Sequence, residues 1–219
     1  MADLTCPAGM KLISGAVANH PELSDVPPFC IDETEVTNPP LDSYQIVHPS
    51  PERARFLAEG PVFAGPNQPA VFVDYPEARA YCQAKGGDLP TGDQWEKAAR
   101  GPQGYEYGTK SGTLNHGEAQ YYNESGVVHG TVDVKFFPPN DYGVYGMTGN
   151  VWEWTLEDYP QYGAKGLRGG SWFNVNPDLL AASYRLNVNP GARINNIGLR
   201  CAVPTAPLYG VAPSQDSKK

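Results

Sequence analysis

The sequence is short of basic charge, histidine, clustered cysteine and long apolar runs. Lysine and arginine number 16 against 24 aspartates and glutamates, for a net charge of −8. An acidic chain presents no basic field to a phosphate backbone, so nucleic-acid binding is excluded as the main activity. No stretch approaches the 18 or so apolar residues that cross a bilayer, so membrane insertion is not expected. The four histidines are scattered, and Cys6, Cys30, Cys82 and Cys201 form no CxxC pair. That spacing does not suit a zinc site. The opening MADLTCPAGM lacks the charged-then-apolar pattern of a secretory signal. The expectation is a chain made without such a leader, or one that starts after it.

Glycine and proline are abundant instead, at 24 and 22 residues, while 40% of the chain is hydrophobic. That balance predicts a loop-rich globular domain with a real core. The stretches CPAGMKLISG and PPFCIDETEVTN read as strands around a polar loop. Pro69 to Val73 reads as a short extended run. Asp74 is then an N-cap with Pro76 in the first turn, Ala78, Tyr81 and Cys82 share a face, and Gly86-Gly87 stops the helix. Thr91 and Gln94 form a capping box for a second helix, with Trp95, Ala98 and Ala99 as its buried stripe and Gly101 as its end. Positions 101–140 read as a long irregular surface segment, including an Asn-Glu-Ser sequon at 123–125. Short strands separated by glycine turns follow, and 204–219 reads as a flexible tail after one domain over 1–203. The repeated Asn-Val-Asn-Pro of 174–177 and 187–190 reads as two matching turns. The four cysteines allow two disulfides, with three connectivities open.

Five motifs in order, FCIDETEVTN, YCQAKGGDLPTGDQWEKAAR, GVYGMTGNVWEWT, LRGGSW and NIGLRCA, resemble the formylglycine-generating-enzyme (sulfatase-modifying factor) family over nearly the whole chain. The resemblance implies an α+β, C-type-lectin-like fold, with two helices, twisted antiparallel sheets and much irregular structure. It also implies a Cys82–Cys201 bridge, and with it Cys6–Cys30. Closing the long loop between Cys82 and Cys201 is worth about 4 kcal/mol in the chain-entropy model. Active members oxidise a cysteine in a sulfatase peptide, using copper held by two thiolates, which suit Cu(I). The matching positions here are Asn174 and Leu179, a hard neutral donor and no donor at all. Catalysis by copper is therefore not expected. Some members bind calcium, which would here engage Gly149, Val151 and Glu153, with Gly146 in place of a side-chain ligand. A second calcium site would start at Asn115 but lacks its acidic partner near Gly126.

The same family includes the variable proteins of diversity-generating retroelements, whose receptor-like surface lies between GGSW and the NNIG motif. Randomised adenines in asparagine codons never yield Lys, Glu, Gln, Met or Trp. Those five types make up 35 of the 219 residues and are absent from Phe173 to Ile197, where about four would be expected. Phe173, Val175, Leu179, Ser183, Tyr184, Leu186, Val188, Ala192 and Ile194 fit replaced asparagines, and Asn174 and Asn176 fit retained ones. Rigid aromatics mixed with small polar groups also suit a paratope. The resemblance thus points to a non-enzymatic protein that binds another protein through 173–196. Disulfides favour an extracellular, cell-surface or virion-surface location. Two other readings stay open. One is a divergent metal-dependent oxidase using His116, His129, Asp133 and Glu153. The other is an accessory pseudo-enzyme.

Overall fold

The computed structural model describes residues 4–45, 50–59, 61–122 and 130–207. In chain order the elements are β1 (Leu4–Thr5), β2 (Met10–Ile13), α1 (Pro21–Ser24), β3 (Phe29–Asp32), α2 (Asn38–Gln45), α3 (Pro51–Glu59), α4 (Tyr75–Ala84) and α5 (Gly92–Arg100). They continue with β4 (Trp152–Tyr159), β5 (Ala164–Arg168), β6 (Leu186–Val188), β7 (Ile197–Gly198), β8 (Ala202–Pro204) and β9 (Ala206–Pro207). The strands make three small sheets, ordered β1-β9, β2-β3-β8 and β6-β5-β4-β7. All pairs are antiparallel except β4 with β7, which run parallel. The fold is α+β, as expected, with three helices beyond the expected pair, of which α1 is a single turn. The central pair α4 and α5 is joined by α2 and α3, whose sequence carries few apolar residues in helical register. Their anchor is polar instead. Arg53, 1% exposed, donates to the Val71 carbonyl at 3.0 Å and to the side chains of Asn38 and Asp42.

The caps of α4 and α5 form as read. Asp74 accepts from the Glu77 amide at 3.0 Å. Thr91 and Gln94 exchange both bonds of a capping box, which satisfies two donors that the helix start would otherwise leave unmet. α5 buries Trp95, Ala98 and Ala99 against Ile13, Phe29 and Ile31 of the three-stranded sheet. α4 packs Ala78, Tyr81 and Cys82 against Trp152, Trp154 and Leu167 of the four-stranded sheet. Both tryptophans of β4 are core residues, and Trp154 Nε1 donates to the Val73 carbonyl at 2.9 Å. Disulfides Cys6–Cys30 and Cys82–Cys201 tie β1 to β3 and α4 to the end of the chain.

Three local expectations change. Pro69 to Val73 is not a continuous extended run, because Phe72 takes a positive φ of 59°. The irregular region after Gly101 is not simply surface: Thr109, Gln120, Thr131 and Asn140 are buried in it. Asparagine side chains stand in there for regular ladders. Asn140 donates to the Ala98 carbonyl and accepts from the Tyr142 and Val144 amides. Positions 204–207 are not frayed as read: β8 ends at Pro204 and β9 (Ala206–Pro207) pairs with β1. Positions 123–129, which include the sequon and His129, lie outside the described residues, as do 208–219.

Candidate functional site

The segment from Phe173 to Asn196 leaves the four-stranded sheet at Gly169-Gly170, returns as β6, and rejoins it at β7. Its asparagines shape it. Asn174 Oδ1 accepts from the Ser171 amide at 2.8 Å and the Ser171 hydroxyl at 3.0 Å. Asn176 Oδ1 accepts from the Asp178 amide at 3.0 Å, and Asn189 Oδ1 from the Gly191 amide at 2.8 Å. The two Asn-Val-Asn-Pro repeats are thus a pair of matched Asx turns, in which a short side chain mimics a backbone acceptor. A third turn uses Asn174. These amides are committed to the chain's own backbone.

The remaining candidates divide by direction. Phe173, Val175 and Ile194 are 62%, 65% and 44% exposed, and Asn176 and Ser183 are exposed beside them. Leu179, Tyr184, Leu186, Val188 and Ala192 are half-buried against the core cluster of α4 and β4. β6 pairs with β5 over Leu186–Val188, so alternation turns Leu186 and Val188 inward and Asn187 outward. The large apolar members of the outward set lie near the segment's two ends, Phe173 and Val175 at one and Ile194 at the other.

Those ends meet an aromatic row that comes from elsewhere in the chain. Phe173 lies edge-on to Trp172 at 5.5 Å, Trp172 packs on Phe63 at 5.9 Å, Phe63 on Phe72 at 6.0 Å, and Phe72 stacks on Phe56 of α3 at 5.2 Å. Phe72 also receives Ile194, whose carbonyl accepts from the Phe72 amide at 3.2 Å.

Two arginines hold the segment down. Arg193, 17% exposed at its side chain, pairs with Asp74 and Glu77 and donates to the Phe72 carbonyl at 3.0 Å. Arg185 pairs with Glu157 at 2.9 Å and Glu96 at 3.3 Å, carboxylates shared with the fully buried Arg168. Burial alone would raise the Glu157 carboxyl, but Arg168 and Arg185 outweigh it and hold the group below the usual range. Neither arginine, nor Phe72, was among the residues read as the site. The arginines had a legible signal, as the cations of a stretch otherwise almost free of charge. The Phe72 geometry had none.

At the positions read as a calcium site, Gly149, Val151 and Glu153, the side chains and backbone are engaged with the rest of the fold. Both oxygens of Glu153 are taken: Oε2 accepts from Trp95 Nε1 at 2.6 Å and Arg200 Nε at 2.7 Å, and Oε1 from Arg200 Nη2 at 2.8 Å. Val151 is in a core cluster with Phe63 and Trp172. Gly149 sits in a backbone bridge to Gln120. At Gly146 the space a side chain would need holds the Glu35 carboxylate, 2.5 Å from an added Cβ. Calcium takes six to eight oxygens, and here both oxygens of Glu153 are engaged by Arg200. His116, Asp133 and Glu153 are not gathered either. Among the described residues no three His, Cys, Asp or Glu side chains form a group able to hold a metal.

A family model described as the sulfatase-modifying factor enzyme 1-like domain matches residues 5–205. The chain belongs to this family. Inactive C-alpha-formylglycine-generating enzyme 2 of Bos taurus is 38% identical over 155 residues, which are 61% of this chain and 50% of that protein. The formylglycine-generating enzyme of Streptomyces coelicolor is 32% identical over 176 residues, 66% of this chain and 55% of that one. The chain spans about half the length of these relatives. Among solved structures, Treponema denticola variable protein 1 superposes with a TM-score of 0.66 at 23% identity, covering 93% of this chain and 99% of that one. At that identity the likeness concerns the fold alone. The sulfatase-modifying-factor fold thus serves both proteins named as enzymes and one named as inactive. No helix among the described residues is long and apolar enough to cross a membrane.

Proposed function

We propose that this sulfatase-modifying-factor domain is a non-catalytic binding module. It would recognise another protein through the outward ends of the 173–196 segment, which rest on the largely buried aromatic row. The observation that carries this reading is that Phe173 and Ile194, both left in solvent, meet the two ends of one aromatic row, Phe173 on Trp172 and Ile194 bonded through its carbonyl to Phe72, with Val175 exposed two residues from Phe173. A scaffold does not ordinarily leave apolar groups clustered in water without a use for them. The two positions matching the copper ligands support the non-catalytic part. Asn174 is spent on a turn, and Leu179 packs on the core. The two disulfides favour an oxidising, extracellular or surface location.

The test uses a displayed library of random dodecapeptides, panned on the intact chain. Phe173→Ser combined with Ile194→Ser should abolish capture of the selected peptides while leaving the melting temperature within a degree or two. Peptides held equally well by that variant would overturn the binding surface. Conversion of a cysteine-containing sulfatase peptide by the copper-loaded chain would overturn the non-catalytic reading.

A further inference from the structure

The charge on this surface differs from the charge of its sequence. Between 173 and 196 the chain carries Arg185, Arg193 and Asp178, which is formally positive. Both arginines are neutralised by framework carboxylates, Arg185 by Glu157 and Glu96 and Arg193 by Asp74 and Glu77. Asp178 is exposed, and no cation pairs with it among the described residues. The Asx turn at Asn176 holds the Asp178 amide at 3.0 Å, so the carboxylate sits one turn from the exposed Val175. Exposed Glu106 is likewise without an ion pair among the described residues. Its backbone carbonyl accepts from the Ala182 amide at 2.8 Å, which brings its loop against the same stretch. Tyr107 follows Glu106 in that loop and is half-buried. Its hydroxyl is pushed up first by burial and then by the charges of Glu106 and Asp178. Exposed His116, stacked on Tyr121 at 3.9 Å, is the other titratable group on this side.

We infer that the apolar patch at Phe173 and Val175 has an acidic, tyrosine-bearing border, and that the protein it binds presents a lysine or arginine beside an exposed aromatic or leucine side chain. The inference rests on the binding surface proposed above and adds the chemistry of the partner. A cation drawn to Asp178 and Glu106 can also meet the ring of Tyr107, combining charge and ring attraction. The unpaired border on a chain of net charge −8 steers basic surfaces in and keeps nucleic acids and anionic membranes away.

The same displayed dodecapeptides read this out. Peptides selected on the intact chain should be enriched in Lys or Arg within two residues of Phe, Trp or Leu. Their affinity should fall as salt rises from 50 to 500 mM. Asp178→Asn with Glu106→Gln removes the charges without touching the Asn176 turn, whose donor is a backbone amide. That variant should bind the same peptides about fivefold to tenfold more weakly, with most of the salt dependence gone. Apolar peptides without basic enrichment, still lost on Phe173→Ser with Ile194→Ser, would overturn this inference and leave the binding surface standing. Basic peptides whose affinity ignores Asp178→Asn with Glu106→Gln would also overturn it. Failure to select any peptide sensitive to Phe173→Ser and Ile194→Ser would overturn both.

Discussion

Phe72 shows how a single residue can be held against its preference. A bulky side chain at a φ of 59° costs about 1–3 kcal/mol in backbone strain. Its ring is sandwiched by Phe56 and Phe63, and its amide and carbonyl both bond to the 193–194 backbone and side chain. Arg193 is the keystone of this arrangement. Arg193→Ala would leave Asp74 and Glu77 facing each other half-buried, so we expect a loss of about 3 kcal/mol in urea unfolding. Phe173→Ala touches no such network and should change stability by no more than about 0.5 kcal/mol.

The buried carboxylates make a second residue-scale case. Glu35 is 1% exposed, its Oε2 accepts no hydrogen bond among the described residues, and Arg200 already serves Glu153. Burial, opposed by Arg200 and reinforced by Glu153, pushes the Glu35 carboxyl up to about 7, and burial pushes Asp32 up to about 6. A carboxyl raised in the folded state stays protonated while its unfolded counterpart ionises. Unfolding then releases a proton, and stability falls as pH rises from the unfolded value toward the folded one. Denaturant melts should therefore show stability declining between about pH 4.5 and 7. Glu35→Gln should flatten much of that decline and add about 2 kcal/mol at pH 8. Equal slopes in the two proteins would show that Glu35 ionises freely in the fold.

At the scale of elements, legibility followed the range of the forces involved. α4 and α5 were readable because caps and apolar stripes act within one turn, as at Asp74, Thr91 and Trp95. β3, β4 and β8 were readable from apolar runs bounded by turns. α2 and α3 were not, because Arg53 holds them through partners at Asn38, Asp42 and Val71 that are distant in sequence. The outward and inward members of 173–196 also escaped the sequence, since the β5–β6 register that turns Leu186 and Val188 inward is a tertiary fact. The asparagine enrichment was legible, yet its immediate use is structural. Asn176→Asp keeps a side-chain acceptor and should be tolerated within about 0.5 kcal/mol, whereas Asn176→Ala should cost about 1 kcal/mol by losing the bond to the Asp178 amide.

For the molecule as a whole, few regular elements must hold a large irregular surface still. The three sheets are small, and among the described residues the longest helices, α4, α5 and α3, have 10, 9 and 9 residues. Irregular chain connects α5 to β4 and surrounds the candidate surface. The Cys82–Cys201 bridge, with a sequence separation of 119, spans that entire stretch and joins α4 to the residue after Arg200. It closes the stretch that includes the outward Phe173, Val175 and Ile194, so substitutions at those positions need not be compensated in the core. Cys82→Ala with Cys201→Ala should cost about 4 kcal/mol, mostly by freeing the unfolded chain. Hydrogen exchange would separate this from local damage. If the bridge acts through the unfolded state, slowly exchanging amides in α5 and β4 should lose protection by the same amount as those beside the bridge in α4. Loss of protection confined to α4 and the 200–203 strand would show instead that the disulfide only staples its immediate neighbours.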